Sequence, residues 1–125
     1  MVINSTISNN TSDFPGAGIR MLQGSSPTLK NTIIANFSPA GHCSEGSATS
    51  LGHNLDSDGT CNLTDPTDLP KTDPLLGPLQ DNGGPTHTHA LLPGSPAIDA
   101  GADSAAPAPA GRATEAAPAD KDIPF

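Results

Sequence analysis

Tryptophan and tyrosine are absent, and three phenylalanines are the whole aromatic complement of the 125 residues. With 34% hydrophobic residues the chain lacks the side chains for one large compact core. A repeating architecture needs less, because each turn buries only a narrow apolar strip against its neighbours. Bases are scarce too: five against thirteen acids, a formal net charge of −8. This weighs against nucleic acid and anionic membranes as partners, since both call for Lys and Arg patches. No window approaches the roughly 20 apolar residues of a membrane span. Nor does a charged leader with an apolar stretch precede Met1-Val2-Ile3-Asn4. That absence is read as truncation, with a leader and earlier coils upstream in a longer parent chain; the alternative is a cytosolic protein.

What is present begins with a repeat. Val2-Ile3-Asn4-Ser5-Thr6-Ile7-Ser8-Asn9-Asn10 aligns with Leu29-Lys30-Asn31-Thr32-Ile33-Ile34-Ala35-Asn36-Phe37 at an offset of 27 residues. A period in the twenties with β-branched residues predicts successive turns of a β-solenoid. Gly18 to Gly24 adds a short strand bounded by glycines. Asn tolerates the left-handed conformation of a turn, so Asn9 and Asn36 are expected to stack as an amide ladder, strands about 4.8 Å apart; two unrelated polar turns are the alternative. A strand is expected around Thr49 to Leu55. Pro66, Pro70, Pro74 and Pro78 predict turns and extended edge. Asp81-Asn82-Gly83-Gly84-Pro85 is a turn, and Thr86 to Leu92 a last strand. Two regions follow: an ordered β-rich segment over 1–101 and an Ala/Pro-rich flexible tail over 102–125.

The runs Thr49-Ser50-Leu51-Gly52-His53-Asn54-Leu55-Asp56-Ser57-Asp58-Gly59-Thr60-Cys61 and Thr72-Asp73-Pro74-Leu75-Leu76-Gly77-Pro78-Leu79-Gln80-Asp81-Asn82-Gly83-Gly84-Pro85-Thr86 closely resemble segments of bacterial surface β-helix proteins that end in a choice-of-anchor Q domain. So does Thr88 to Gly101. The resemblance covers roughly residues 29 to 101. It implies a right-handed parallel β-helix, export to the cell surface or beyond, and a place near the C-terminal end of that helix. Such proteins continue with an Asp, Arg and Gly motif and a closing Cys-Asp-Ile-Gly-Ala-Phe-Glu segment. Here only Gly111-Arg112 and Asp122-Ile123-Pro124-Phe125 stand in that region, so the resemblance stops at Gly101.

In an exported chain the only two cysteines, Cys43 and Cys61, are expected to form a disulfide, with free buried thiols as the alternative. His42, His53, His87 and His89 raise the question of a metal cluster, and His87 and His89 would share one strand face, but no acid stands at convincing ligand spacing from that pair and exposed strand histidines are the preferred reading. Sequons at Asn4, Asn9, Asn10, Asn36 and Asn62 are read as turn sequence. A sharper reading falls on Asn54 to Asp65. Asn54, Asp56, Asp58, the Thr60 carbonyl, Asn62 and Asp65 stand at positions 1, 3, 5, 7, 9 and 12 of a calcium loop of the EF-hand type, with Gly59 at position 6. The first Asp is replaced by Asn and the bidentate Glu by Asp, which lowers affinity. The plainer and preferred reading has Asp56 and Asp58 capping a turn through their own backbone. Calcium is thus the one cofactor in view.

For catalysis, Arg20 and Lys30 are the only bases in the repeat region and Asp13 the only nearby acid, which suits neither a lyase nor a hydrolase. The expected function is a non-enzymatic structural or adhesive segment of a secreted or surface-exposed protein, with an extracellular glycan or protein ligand. The alternative is the non-catalytic end of a carbohydrate-active enzyme. An unpaired edge at Val2 to Ile7 invites upstream coils or self-association.

Overall fold

The computed structural model describes residues 1–35, 39–44 and 46–102. All but Ala102 of the tail expected over residues 102–125, and Asn36 of the expected ladder, lie outside the described residues. Every regular element is a strand, and among the described residues there is no helix. The elements are β1 (Val2–Ser8), β2 (Thr28–Ala35), β3 (Thr49–Ser50), β4 (Leu55–Asp56), β5 (Leu69–Pro70), β6 (Leu76–Gln80) and β7 (Thr88–Leu91).

The first five strands form one parallel sheet in the order β1-β2-β4-β5, with β3 also on β2. Val2 lies opposite Leu29 and Ile7 opposite Ile34, the 27-residue offset visible in the sequence. Thr28 then faces Thr49, Ile33 faces Leu55, and Leu55 faces Leu69. The short strand expected after Gly18 is a single parallel bridge, Ile19 to Cys43. The strand expected from Thr49 to Leu55 is divided into β3 and β4, because Gly52 (φ 90°) and His53 (φ 58°) leave the extended region between them. β5 ends the path, which is where Pro70, with no N–H to donate, is tolerated. β6 and β7 pair antiparallel across the expected turn.

Five residues earlier in the same repeat than Asn9 and Asn36, another asparagine pair stacks. Asn4 (φ 50°) and Asn31 (φ 49°) both take the left-handed conformation, and Asn31 Nδ2 donates to Asn4 Oδ1 at 3.0 Å. Asn31 also binds Ala102 through both amide atoms, 3.2 Å to its carbonyl and 3.0 Å from its N–H. Asn9, also left-handed at φ 57°, uses its main-chain N–H on the Ala35 carbonyl.

The kink at Asn31 also determines how β2 is buried. In an unbroken strand Leu29 and Ile33 would share a face and Ile34 would take the other. Instead Leu29 and Ile34 join one core with Met21, Cys43, Ala48 and Cys61. Ile33 and Ala35 join a second with Leu55 and Ala97, against which Leu69, Leu76 and Leu91 pack. One left-handed residue reverses the alternation, so β2 is apolar on both faces and the β6–β7 hairpin covers one of them. Burying each Leu or Ile contributes about 1.5–3 kcal/mol, which concentrates the stability around β2.

Candidate functional site

Leu55 and Asp56 form β4, which aligns with Ile33 and Ile34 of β2. The chain then turns through Ser57 and Asp58. At this corner Asp56 and His42 are both buried. His42 Nδ1 meets Asp56 Oδ1 at 2.7 Å and Asp58 Oδ1 at 3.4 Å. The other Asp56 oxygen accepts the Cys61 N–H at 2.9 Å. Burial, the largest influence, pushes the Asp56 carboxyl above its ordinary value of 3.8 against the pull of the Cys61 N–H and His42. Asp58 is displaced the other way. Burial again has the largest single effect and raises it, but the Thr60 N–H and hydroxyl, the His42 N–H and attraction to His42 together hold it below 3.8.

A local device positions this group, and it occurs twice. Asp58 Oδ1 accepts both the N–H and the hydroxyl of Thr60 at 2.8 and 2.7 Å, an Asx turn. The Thr60 hydroxyl then accepts the N–H groups of His42 and Cys43 at 2.9 and 3.0 Å. Asp65 Oδ1 holds Thr67 in the same way at 2.9 and 2.6 Å, and the Thr67 hydroxyl accepts the His53 N–H at 2.8 Å. Each clamped histidine follows a glycine in the left-handed region, Gly41 at φ 86° and Gly52 at φ 90°. A Cβ at Gly41 would stand 3.1 Å from Thr60 Cγ2, and one at Gly52 would stand 2.7 Å from Thr67 Oγ1. The signal was present in the sequence as two Gly-His pairs, each followed by Asp-x-Thr, and its meaning lies in stacking rather than in ligation.

The six calcium-loop positions are not drawn to one point. Asp56 and Asp58 converge on His42, and the Thr60 hydroxyl joins them. Asn54 instead accepts the Thr32 N–H at 3.0 Å and donates to Ser50 Oγ and Asp68 Oδ1 at 2.9 and 3.1 Å. Asn62 donates to the Gly46 carbonyl at 3.1 Å, and Asp65 is held by Thr67. The histidines are likewise apart: His53 Nδ1 meets the Ala100 carbonyl at 2.8 Å and His89 Nδ1 the Gly77 carbonyl at 2.7 Å. One potential ligand from each of His42, Asp56 and Asp58 falls within 4.8 Å of the others, but these atoms already serve the turn and each other. Asp68, unnoticed in the sequence, is a buried partner of Ser50, Asn54 and Asp65.

Cys43 and Cys61 are joined by a disulfide with Cα atoms 4.9 Å apart. Both are buried among Leu29 and Ile34, so the bond lies in the first core, on strand-adjacent segments the Thr60 clamp also ties together.

Beside this corner is a cleft of about 510 Å³ between the carboxyl ends of β1, β2 and β4 and the β6–β7 hairpin. Asn9, Asp58, Asp73, Leu75, His89 and Leu92 are among its lining residues. Ser57 reaches its wall, with its hydroxyl 3.5 Å from His42 Nε2. Serine, histidine and Asp56 thus stand in the order of a nucleophilic triad. The 3.5 Å separation is at the outer limit of hydrogen bonding and the His42 ring is 1% exposed. Compared with protein families, curated proteins and solved structures, the chain matches none.

Proposed function

We propose that this chain is part of a right-handed parallel β-helix and serves as a structural or adhesive segment of a secreted or surface-exposed protein. The observation that carries the reading is the parallel register of β1 on β2, which coincides with the 27-residue sequence repeat and is followed by β4 and β5 in the same direction. Strands joined in parallel require crossovers, and those crossovers are right-handed in nearly all proteins. The Asn4–Asn31 stack and the paired Asp-x-Thr clamps are what neighbouring turns of a solenoid need, since each turn contacts only the next. The disulfide suits an oxidising compartment, and the likeness of the Thr49–Cys61 run to surface β-helix proteins points the same way.

Among the described residues β1 ends the sheet path. Its open edge is the place for an upstream coil of a longer parent, or for a second copy of this chain. A crystal structure tests the solenoid: the path through Ile19, Leu29, Cys43 and Leu55 should advance by one strand spacing per turn around a common axis, and a flat open sheet overturns it. Arrays of glycans and extracellular proteins, run on the full-length parent beside a lyase and hydrolase screen, test the function. Binding without turnover is expected. Cleavage of a polysaccharide would instead favour the carbohydrate-active alternative.

A further inference from the structure

The cleft beside the His42 corner has a consistent chemical character. Its two charged lining residues, Asp58 and Asp73, are both carboxylates. His89 donates from Nδ1 to the Gly77 carbonyl, which leaves Nε2 as an acceptor in the neutral ring. The walls between these acceptors are apolar, with Leu75 37% and Leu92 43% exposed. Leu75 takes the left-handed conformation at φ 50°, its N–H held by Asp73 Oδ1 at 2.9 Å. No Lys or Arg is among the lining residues, and Lys71 lays its stem over Gly59. The net charge of −8 draws cations to the molecule as a whole.

From this arrangement we infer that the cleft binds an arginine side chain of a partner polypeptide. Its planar guanidinium pairs with the exposed Asp73 carboxylate and its methylene stem lies between Leu75 and Leu92. Arginine fits better than lysine because the fork of N–H donors matches a carboxylate in two places and is less strongly hydrated. A neutral sugar fits less well, since no Phe, Tyr or Trp among the lining residues offers its ring a platform. The size is that of an ordinary side-chain or small-ligand pocket, which run from about 300 to 1,000 Å³. This deepens the adhesive reading by naming the ligand chemistry and rests on that reading for its biological use. The binding itself is measured independently of the solenoid.

The test is an NMR titration of the ¹⁵N-labelled full chain with N-acetylarginine amide, with maltotriose run in parallel. Saturable shifts confined to the amides of Ser57, Leu75, Gly77 and His89 are expected, with a Kd of about 1 mM for so small a probe. Asp73→Asn keeps the Oδ1 acceptor for the Leu75 N–H and should weaken binding about ten-fold, the worth of one charge-assisted hydrogen bond. Asp13→Asn, which changes the net charge equally but lies outside the cleft, should change it less than two-fold. Equal weakening by the two variants, or shifts spread over the acidic surface, would reduce the effect to general charge attraction and overturn the inference. Saturable cleft shifts with maltotriose and none with the arginine probe would overturn it in favour of a hydroxylated ligand.

Discussion

The Thr60 hydroxyl accepts the main-chain N–H of His42 at 2.9 Å, eighteen residues back along the chain, and Thr67 repeats the contact with His53. In both places an aspartate two residues earlier fixes the hydroxyl, so a turn stabilised by its own side chain also supplies the acceptor for the neighbouring turn. The Asp-x-Thr sequence therefore acts on local geometry and on stacking at once.

Removing that hydroxyl should be costly relative to its size. Thr60→Val leaves the Cys43 N–H without its acceptor and should destabilise the chain by about 1–3 kcal/mol, whereas Thr60→Ser should stay within about 0.5 kcal/mol of the parent. Urea unfolding of the three proteins checks this. Equal loss from Val and Ser would show that the methyl packing matters and the hydroxyl does not.

The disulfide should be present in protein prepared under oxidising conditions, with two thiols released only after reduction, as intact mass before and after reduction will show. Replacing both cysteines with serine opens a loop of sequence separation 18 and places polar atoms in the first core. A loss of about 3 kcal/mol from the unfolded-state constraint alone is expected, and more from the core.

Acid should weaken the His42 corner in a direction set by Asp58. Its folded value lies below 3.8, so the unfolded chain binds the proton more readily. The stability that Asp58 contributes is complete above 3.8 and is lost as pH falls through the lower folded value. Asp56, raised by burial, has the opposite sign: its ionised form costs stability above its folded value, and acidification relieves that cost. The advantage of the parent over Asp58→Asn should therefore be larger at about pH 7 than at about pH 2.5. An advantage that is constant between those conditions would mean that the carboxylate charge is not what Asp58 contributes.

Asn31 combines a left-handed backbone with two sets of side-chain bonds, to Asn4 and to Ala102. Asn31→Gly relieves the backbone requirement and loses the bonds, while Asn31→Ala loses both. Alanine should cost about 1 kcal/mol more than glycine. Both should release the Ala102 amide to faster hydrogen exchange. Unchanged protection at Ala102 would place its restraint elsewhere.

Calcium should give no saturable heat in isothermal titration at millimolar concentration, because Asn54, Asn62 and Asp65 point to Thr32, Gly46 and Thr67 rather than to Asp56 and Asp58. A saturable response lost in the Asp56→Ala, Asp58→Ala variant would show that the loop rearranges around the ion.

The sequence by itself determined the strand register, because the 27-residue repeat places β-branched residues in matching positions and parallel pairing follows that match. Absence of helix among the described residues was equally legible in the β-branched runs and the recurring prolines, and the expected cysteine pair is the one that bonds. Three matters were decided only by the tertiary structure. The stacking of Asn4 with Asn31 is one, since each takes the left-handed conformation within paired strands and one carboxamide is thereby brought to the other. Asp56 went to His42 rather than to a calcium geometry, because β4 carries it into the sheet where only a buried partner can answer its charge. The cleft is not visible in sequence at all: Asn9, Asp58, Asp73 and His89 are up to 80 residues apart, and only the packing of the β6–β7 hairpin against the ends of β1, β2 and β4 brings them to one wall.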